Sequence, residues 1–396
     1  MGKKLRVAVI GAGIGGLAAA NALRQRGHEV SIHEQAAQLG EVGAGIQMTP
    51  NAVKVMRGLG LEKELKNVSF LPDALIGLDW RSGKQVFRTP LDVCDELYGA
   101  KYMQVHRADL HGVLHAPLPD SMFHLGIRCI DAGTVNGTAF AKFADGSEIE
   151  ADVVVGADGI HSVVRDKLFG AEKPRFTNNM CWRMVVPFDE PDFDLVFPST
   201  TLWLGPNGHV VTYYVRGGKG VNVIACHETD SWTAESWNTQ ATKEEVIDAY
   251  KDWNPRLHRL LEKADHVFKW GLFDRDPMAS WSKGNATILG DAAHPMLPYL
   301  SQGAAMAIED GYVLAGTLTS ESDIASALRR YEELRKPRTS EVQLRAREQG
   351  KSNHLISPWA RLKRDIVYYV RGLINPQMTG LKAGWVYEYD ATAVVS

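Results

Sequence analysis

Residues 5–34 read LRVAVIGAGIGGLAAANALRQRGHEVSIHE, and the order of elements in this stretch decides the fold. Leu5 to Ile10 is an apolar, β-branched run without polar alternation, the pattern of a strand buried on both faces of a parallel sheet. A tight turn follows. Gly11 lets the chain reverse, Gly13 lets its backbone approach a pyrophosphate, and Gly16 lets the next helix pack closely on the strand. That helix is predicted from about Gly13 to Arg26, its positive end toward bound phosphates, with Gly27 and His28 ending it. A second strand, Glu29 to Glu34, places Glu34 at 34 − 11 = 23 residues past the first glycine. An acid at that spacing grips ribose hydroxyls. The stretch therefore predicts a dinucleotide held at the carboxyl edge of a parallel α/β sheet.

Two further segments carry the same message. GADGIHS, Gly156 to Ser162, follows the apolar run Val153 to Val155. GDAAHPMLPYLSQGAAMAIED, Gly290 to Asp310, follows the buried run ending Ile288-Leu289. Both place small residues and a carboxylate just beyond a strand, where α/β folds bind ligands. Gly303, Ala304 and Ala305 open a helix, predicted over Gln302 to Leu318, whose start is bare enough for close approach by a ligand. Between these segments the chain predicts strands at Ala74 to Asp79, Gln85 to Thr89, Ala139 to Phe143 and Glu148 to Val155, and a helix within His106 to Leu118. Asp145-Gly146 reads as a hairpin turn. The middle, Thr177 to Trp270, changes to short β-rich runs broken by Gly, Pro and Asn, the signature of an antiparallel sheet. The expected fold is α/β: a discontinuous Rossmann-like nucleotide domain (1–176 and 281–353), an inserted antiparallel substrate domain (177–280) and C-terminal helices (354–396). One face of the inserted sheet should cover the ligand and the other should pack on helices. The basic amphipathic segment Trp359 to Leu373 could pack in a dimer, rest on the middle domain or meet a membrane surface, and packing is the expectation. Gly43 to Gly45 reads as a flexible stretch.

Composition narrows the class. The chain has 396 residues, 45% hydrophobic and 23% charged, with a net charge of −3. That is enough for a two-domain core and gives no basic surface for nucleic acid. Cys94, Cys129, Cys181 and Cys226 form no CxxC pair and no metal-ligand cluster, so they read as free thiols and no metal is expected. No apolar run reaches the length of a spanning helix, and the first strand begins too early to leave room for a signal peptide. A cytoplasmic enzyme without membrane partner, monomer or homodimer, is the expectation.

Taken together, the three segments resemble the single-component FAD-dependent aromatic hydroxylases, the flavoprotein monooxygenase family that includes salicylate hydroxylase, 3-hydroxybenzoate 6-hydroxylase and 6-hydroxynicotinate 3-monooxygenase. The resemblance covers nearly the whole chain. It implies bound FAD, NADH or NADPH as a transient co-substrate, and O₂ passed through a flavin C4a-hydroperoxide to a small hydroxylated aromatic or pyridine carboxylate. It assigns cofactor contacts to Gly11, Gly13, Gly15, Gly16, Glu34, Gln35, Gly45, Arg107, Asp158, Gly159, Asp291, Gly303 and Ala304. There is no second GxGxxG, so the nicotinamide cofactor is expected on the surfaces around the flavin rather than in a Rossmann unit of its own.

Substrate residues come from NGHVVTYY. Period-two alternation puts His209, Val211 and Tyr213 on one face of a strand and Val210, Thr212 and Tyr214 on the other. His209 and Tyr213 match a His and a Tyr of the family's substrate pocket, which implies His209 as phenol deprotonator or hydrogen-bond partner and Tyr213 as a substrate contact. Gln47, Tyr102 and Pro298 are placed beside them. His294 is expected to orient the flavin loop, and His161 and His227 to be structural. A substrate carboxylate wants a cation or amide donors. Arg183 and Arg216 are the candidates, although the plainer expectation is that each lies in solvent or pairs with an acid. Other chemistry sharing these motifs remains open: epoxidation or hydroxylation of a larger isoprenoid or polyketide, an FAD reductase that ignores oxygen, or a protein that keeps FAD for regulation.

Overall fold

The computed structural model describes residues 4–40, 44–230, 239–375 and 384–395, so Gly43 of the expected flexible stretch lies outside the described residues. The opening unit forms as strand Arg6–Ile10, helix Ile14–Gln25 and strand Glu29–Glu34. Its strand is central in a six-stranded sheet of order Ser282–Lys283, Ala286–Ile288, Val153–Gly156, Arg6–Ile10, Glu29–Glu34, Phe123–Leu125. Every pairing is parallel except that of the first two strands. Strand Ala286–Ile288 and helix Gly303–Ser320 return from beyond the middle of the chain, so the nucleotide unit is discontinuous. The returning helix packs so closely on Ile14–Gln25 that a Cβ at Gly311 would lie 2.6 Å from the Ala19 amide nitrogen.

The expected strand Glu148 to Val155 is in fact two. Glu148–Ala151 joins Thr138–Phe143 and Cys129–Val135 in a small antiparallel sheet, whereas Val153–Gly156 enters the parallel one. Asp152 is the joint. Its amide donates to the Arg6 carbonyl (2.9 Å) and its carboxylate accepts the Arg6 amide (2.7 Å), which turns the chain from one sheet to the other.

The second large sheet has eight strands in the order Thr239–Ala241, Val267–Asp274, Arg175–Pro187, Gly220–Glu228, Gly208–Val215, Thr200–Gly205, Ala74–Asp79, Gln85–Pro90. The middle segment is antiparallel throughout. It is extended by two strands from far earlier in the chain, with Ala74–Asp79 pairing parallel to Thr200–Gly205. Its two faces are used as the alternation requires. Val210 and Tyr214 point into a core with Trp182, Val223, Tyr250 and Leu257, the last two on or just beyond the helices Lys243–Ala249 and Pro255–Leu261. Tyr213, Ile224 and Arg183 point the opposite way, to a cavity against the nucleotide unit.

All four cysteines are buried and free. Helix Pro358–Ile374 packs on the edge of the eight-stranded sheet through Tyr368 against Phe87, and leaves Trp359 74% and Ile374 79% exposed. Among the described residues no helix is long and apolar enough to cross a membrane.

Candidate active site

One cavity joins all three glycine-rich segments to the face of the eight-stranded sheet. It is bordered by Gly13, Ile14 and Gly15, by Ala157 and Gly159, by Gly290, Asp291, Gly303 and Ala304, and by Gln47, Arg107, Arg183, Tyr213, Ile224, Trp270 and Pro298. The N-termini of Ile14–Gln25 and Gly303–Ser320 therefore both reach it, and their unpaired amides favour negative charge there.

The glycines divide by role. At Gly16 a Cβ would run into the Gly11 carbonyl oxygen, and at Gly11, where φ is +107°, into the Ala157 carbonyl. Both are needed by the protein's own packing. Gly13 is different, because a Cβ there meets no protein atom within 4 Å, yet it borders the cavity. Its missing side chain leaves that part of the space open. Glu34 stands beside the turn, its Oε2 accepting the Ala12 amide and its Oε1 the Ala36 amide, each at 2.8 Å. Gln35 is exposed and does not border the cavity.

Asp158 is turned away from the cavity. Its carboxylate accepts Ser162 Oγ (2.5 Å) and the amides of Val163 (2.7 Å) and Val164 (3.1 Å), which caps helix Val163–Phe169 and fixes the loop. Ala157 and Gly159 are the members of that loop that border the space. Asp291 opens onto it. Its side chain is exposed to the open space, and the protein around it raises its pKa from the ordinary value by desolvation, opposed by His294 and Arg107.

The loop carrying Asp291 is anchored by groups that the sequence alone left unassigned. Asp310 Oδ2 accepts the Gly290 amide (3.0 Å) and lies 2.5 Å from His294 Nε2, while its Oδ1 accepts Arg335 Nε (2.7 Å). Glu309 is held by Arg335 and Arg338 and accepts from Asn51. His294, which sits on this loop, is thus tied to helix Gly303–Ser320 through Asp310. A signal was present: two acids side by side in an otherwise apolar helix must find buried cations.

On the sheet side, Gly45 lets its strand pass beneath Tyr213, since a Cβ would lie 2.6 Å from the tyrosine hydroxyl and 2.7 Å from Asn222 Cβ. Its amide donates to Asn222 Oδ1 (2.7 Å), a residue that sequence reading missed because nothing in its local pattern distinguishes it. Gln47 accepts from the buried Tyr102 hydroxyl and also bonds Tyr213. Burial raises the pKa of both tyrosines, so both remain hydrogen-bond donors at neutral pH. Tyr102 backs Gln47 rather than bordering the cavity.

His209 shares the strand face of Tyr213 but is not among the residues bordering the cavity. Its Nδ1 lies 2.7 Å from His354 Nε2, and Tyr299, next to Pro298, stacks edge-on against it at 5.4 Å. Burial, then the neighbouring His354, lowers its pKa well below the ordinary histidine value, so it is neutral at pH 7. Arg216 is exposed, with its guanidinium 3.4 Å from His106, and does not border the cavity.

The family model for the FAD binding domain matches residues 4–346. The chain is 42% identical over 393 residues to a 3-amino-4-hydroxybenzoate 2-monooxygenase of Streptomyces platensis, covering 99% of this chain and 98% of that protein. It is 39% identical over 345 residues to a 6-hydroxynicotinate 3-monooxygenase of Bordetella bronchiseptica, covering 86% and 90%. Among solved structures, Klebsiella pneumoniae HpxO complexed with FAD and uric acid is similar at a TM-score of 0.84 and 26% identity, covering 95% and 97%. A salicylate hydroxylase substrate complex is similar at 0.82 and 28%, covering 98% and 97%. With three glycine-rich segments around one cavity and these relatives over nearly its whole length, the chain belongs to the FAD binding domain family, among its FAD-dependent aromatic-ring monooxygenases.

Proposed function

We propose that this enzyme consumes NADH or NADPH and O₂ to hydroxylate a small aromatic or pyridine carboxylate that already bears a ring hydroxyl. The observation carrying this reading is the continuity of the cavity: the bare helix starts at Gly13 and Gly303 and the ring-sized wall of Tyr213, Ile224 and Trp270 border the same space. FAD fits the first part, since Gly13 leaves room for a ligand where a side chain would meet no protein. When bound, FAD supplies the redox chemistry, accepting a hydride from the nicotinamide and enabling O₂ to donate one oxygen.

The chain's residues then do the positioning. Gly13, Gly303 and Ala304 would hold the dinucleotide, with Asp291 and Glu34 as the carboxylates available to its hydroxyls. Tyr213, oriented by Gln47 and Tyr102, hydrogen-bonds the ring hydroxyl and holds the reacting carbon in place. Ile224, Leu297 and Trp270 keep water away from the reacting atoms. His209, standing behind Tyr299, is a positioning residue that fixes the turn after Pro298.

Two outcomes follow. Tyr213→Phe should raise KM for the aromatic acid roughly 3- to 10-fold, the worth of one hydrogen bond, with FAD content unchanged. His209→Asn should lower the fraction of NAD(P)H use that yields product, because the Tyr299 turn loosens. Unchanged coupling would remove His209 from the site's support. The function itself is tested by a panel of hydroxybenzoates, aminohydroxybenzoates and hydroxypyridine carboxylates, beginning with 3-amino-4-hydroxybenzoate. Substrate-stimulated NAD(P)H oxidation together with a product that gains one oxygen supports the reading, and silence across the panel rejects it.

A further inference from the structure

Arg183 lies on strand Arg175–Pro187 and borders the cavity, its guanidinium 4.2 Å from the centroid of the Trp270 ring. Its Nε is buried without a hydrogen-bond partner. Among the described residues no carboxylate forms an ion pair with it, and the groups that bear most on its charge are Cys181, Tyr213, Arg107 and Cys226. Asp291, the carboxylate that borders the same cavity, interacts instead with His294 and Arg107. Burial lowers the arginine's pKa, and Arg107 adds a like charge. Arg183 is half-buried, facing the cavity, and once a ligand closes that space its cation is costly to leave without an anion unless the ligand brings one.

Its placement indicates which anion. Arg183 is in register with Ile224, and Ile224 with Val211, while Tyr213 is in register with Asn222 one pleat along. The guanidinium and the tyrosine hydroxyl thus arise from strands two spacings apart, roughly 10 Å across the sheet, on the same face, with Ile224 between them. A benzene or pyridine ring laid on that apolar floor presents its hydroxyl to Tyr213 and a ring carboxylate to the arginine. Resting on the aromatic-acid reading above, we propose that Arg183 binds the substrate's carboxylate and thereby sets the enzyme's preference for aromatic acids over their neutral analogues. The planar fork of the guanidinium suits a carboxylate in two-point contact, which a lysine cannot reproduce.

The test compares 3-amino-4-hydroxybenzoate and 3-hydroxybenzoate with their carboxamides, titrated into the FAD-loaded enzyme and followed by perturbation of the flavin absorption. The wild type should bind each acid roughly 10- to 100-fold tighter than its amide, the range of a hydrogen bond to a charged group. Arg183→Gln should bring the acid down to the level of the amide, leave amide binding and FAD content unchanged, and raise KM for acids much more than it lowers kcat. Arg183→Lys should recover part of the preference. Equal losses for acid and amide would overturn the proposal, as would an Arg183→Gln enzyme whose flavin is reduced more slowly by NADH with no aromatic present, since the anion served would then be on the cofactor. Failure of the wild type to bind any acid or amide would refute the substrate reading itself, before any substitution is made, which keeps the two failures apart.

Discussion

Arg335→Ala is expected to destabilise the protein by about 3–5 kcal/mol, the cost of removing one partner from a buried ion pair. The side chain is fully buried, 2.5 Å from Glu309 and 2.7 Å from Asp310. Without it, Glu309 keeps only Arg338 and Asn51 as partners, and Asp310 keeps only His294 and the Gly290 amide, so the loop loses one of its anchors in a dry interior. The measurement is a denaturant titration, with Arg335→Lys as the milder variant that keeps the charge and should lose less. The same network makes a prediction about acid. Burial alone would raise the Asp310 carboxyl, but His294 and Arg335 outweigh it and hold its pKa at about 2, against an ordinary 3.8. A depressed carboxyl stabilises the fold above its unfolded pKa, so this contribution is complete above about pH 5 and fades as pH falls through 4 toward 2. Arg335→Ala should flatten that part of the pH profile, and an unchanged slope would show that the network does not carry it.

The second large effect separates two glycines three positions apart. Gly16→Ala forces a Cβ onto the Gly11 carbonyl, and because the obstacle is backbone the strand and helix must part. A loss of about 1–3 kcal/mol or more is expected, as in other overpacked sites, with poor yield of folded protein. Gly13→Ala puts the same methyl into open space. Its unfolding should stay within about 0.5 kcal/mol of wild type, while retention of FAD through gel filtration falls at least tenfold. Were both variants to lose stability alike, Gly13 would be a packing glycine and its place at the ligand would be wrong.

How much of this was legible before the structure depended on whether the signal was local. The strand, glycine turn and helix of residues 5–34 were readable because each element writes its own period and its own stop. The facing of Tyr213 opposite Tyr214 was readable for the same reason: alternation in a strand fixes the side without knowledge of the partner. The split at Asp152 was also written locally, in the change from the alternating EIEA to the continuous VVVG, though a single strand is the simpler reading of that run. Pairings between distant segments were not legible. Nothing in residues 74–90 announces that they extend the eight-stranded sheet, because the parallel register of Leu75 with Thr200 is decided by tertiary packing. Distance also explains His209 and Arg183. Strand alternation puts His209 on the cavity's side of the sheet, but His354, 145 residues away, and Tyr299 engage its ring. Arg183 in turn reads as an ordinary solvent-facing or paired arginine until the fold shows it bordering the cavity, with no ion pair to it among the described residues.

The central claim is that FAD and an aromatic acid meet in one water-shielded cavity, where O₂ gives an atom to the ring. The most direct test is mass spectrometry of the aromatic product formed by the FAD-loaded enzyme with NADH or NADPH under ¹⁸O₂, using whichever acid of the panel stimulates turnover. The product should carry one labelled oxygen and no more. A product or recovered substrate without label, with all the ¹⁸O found in hydrogen peroxide and water, would contradict the account.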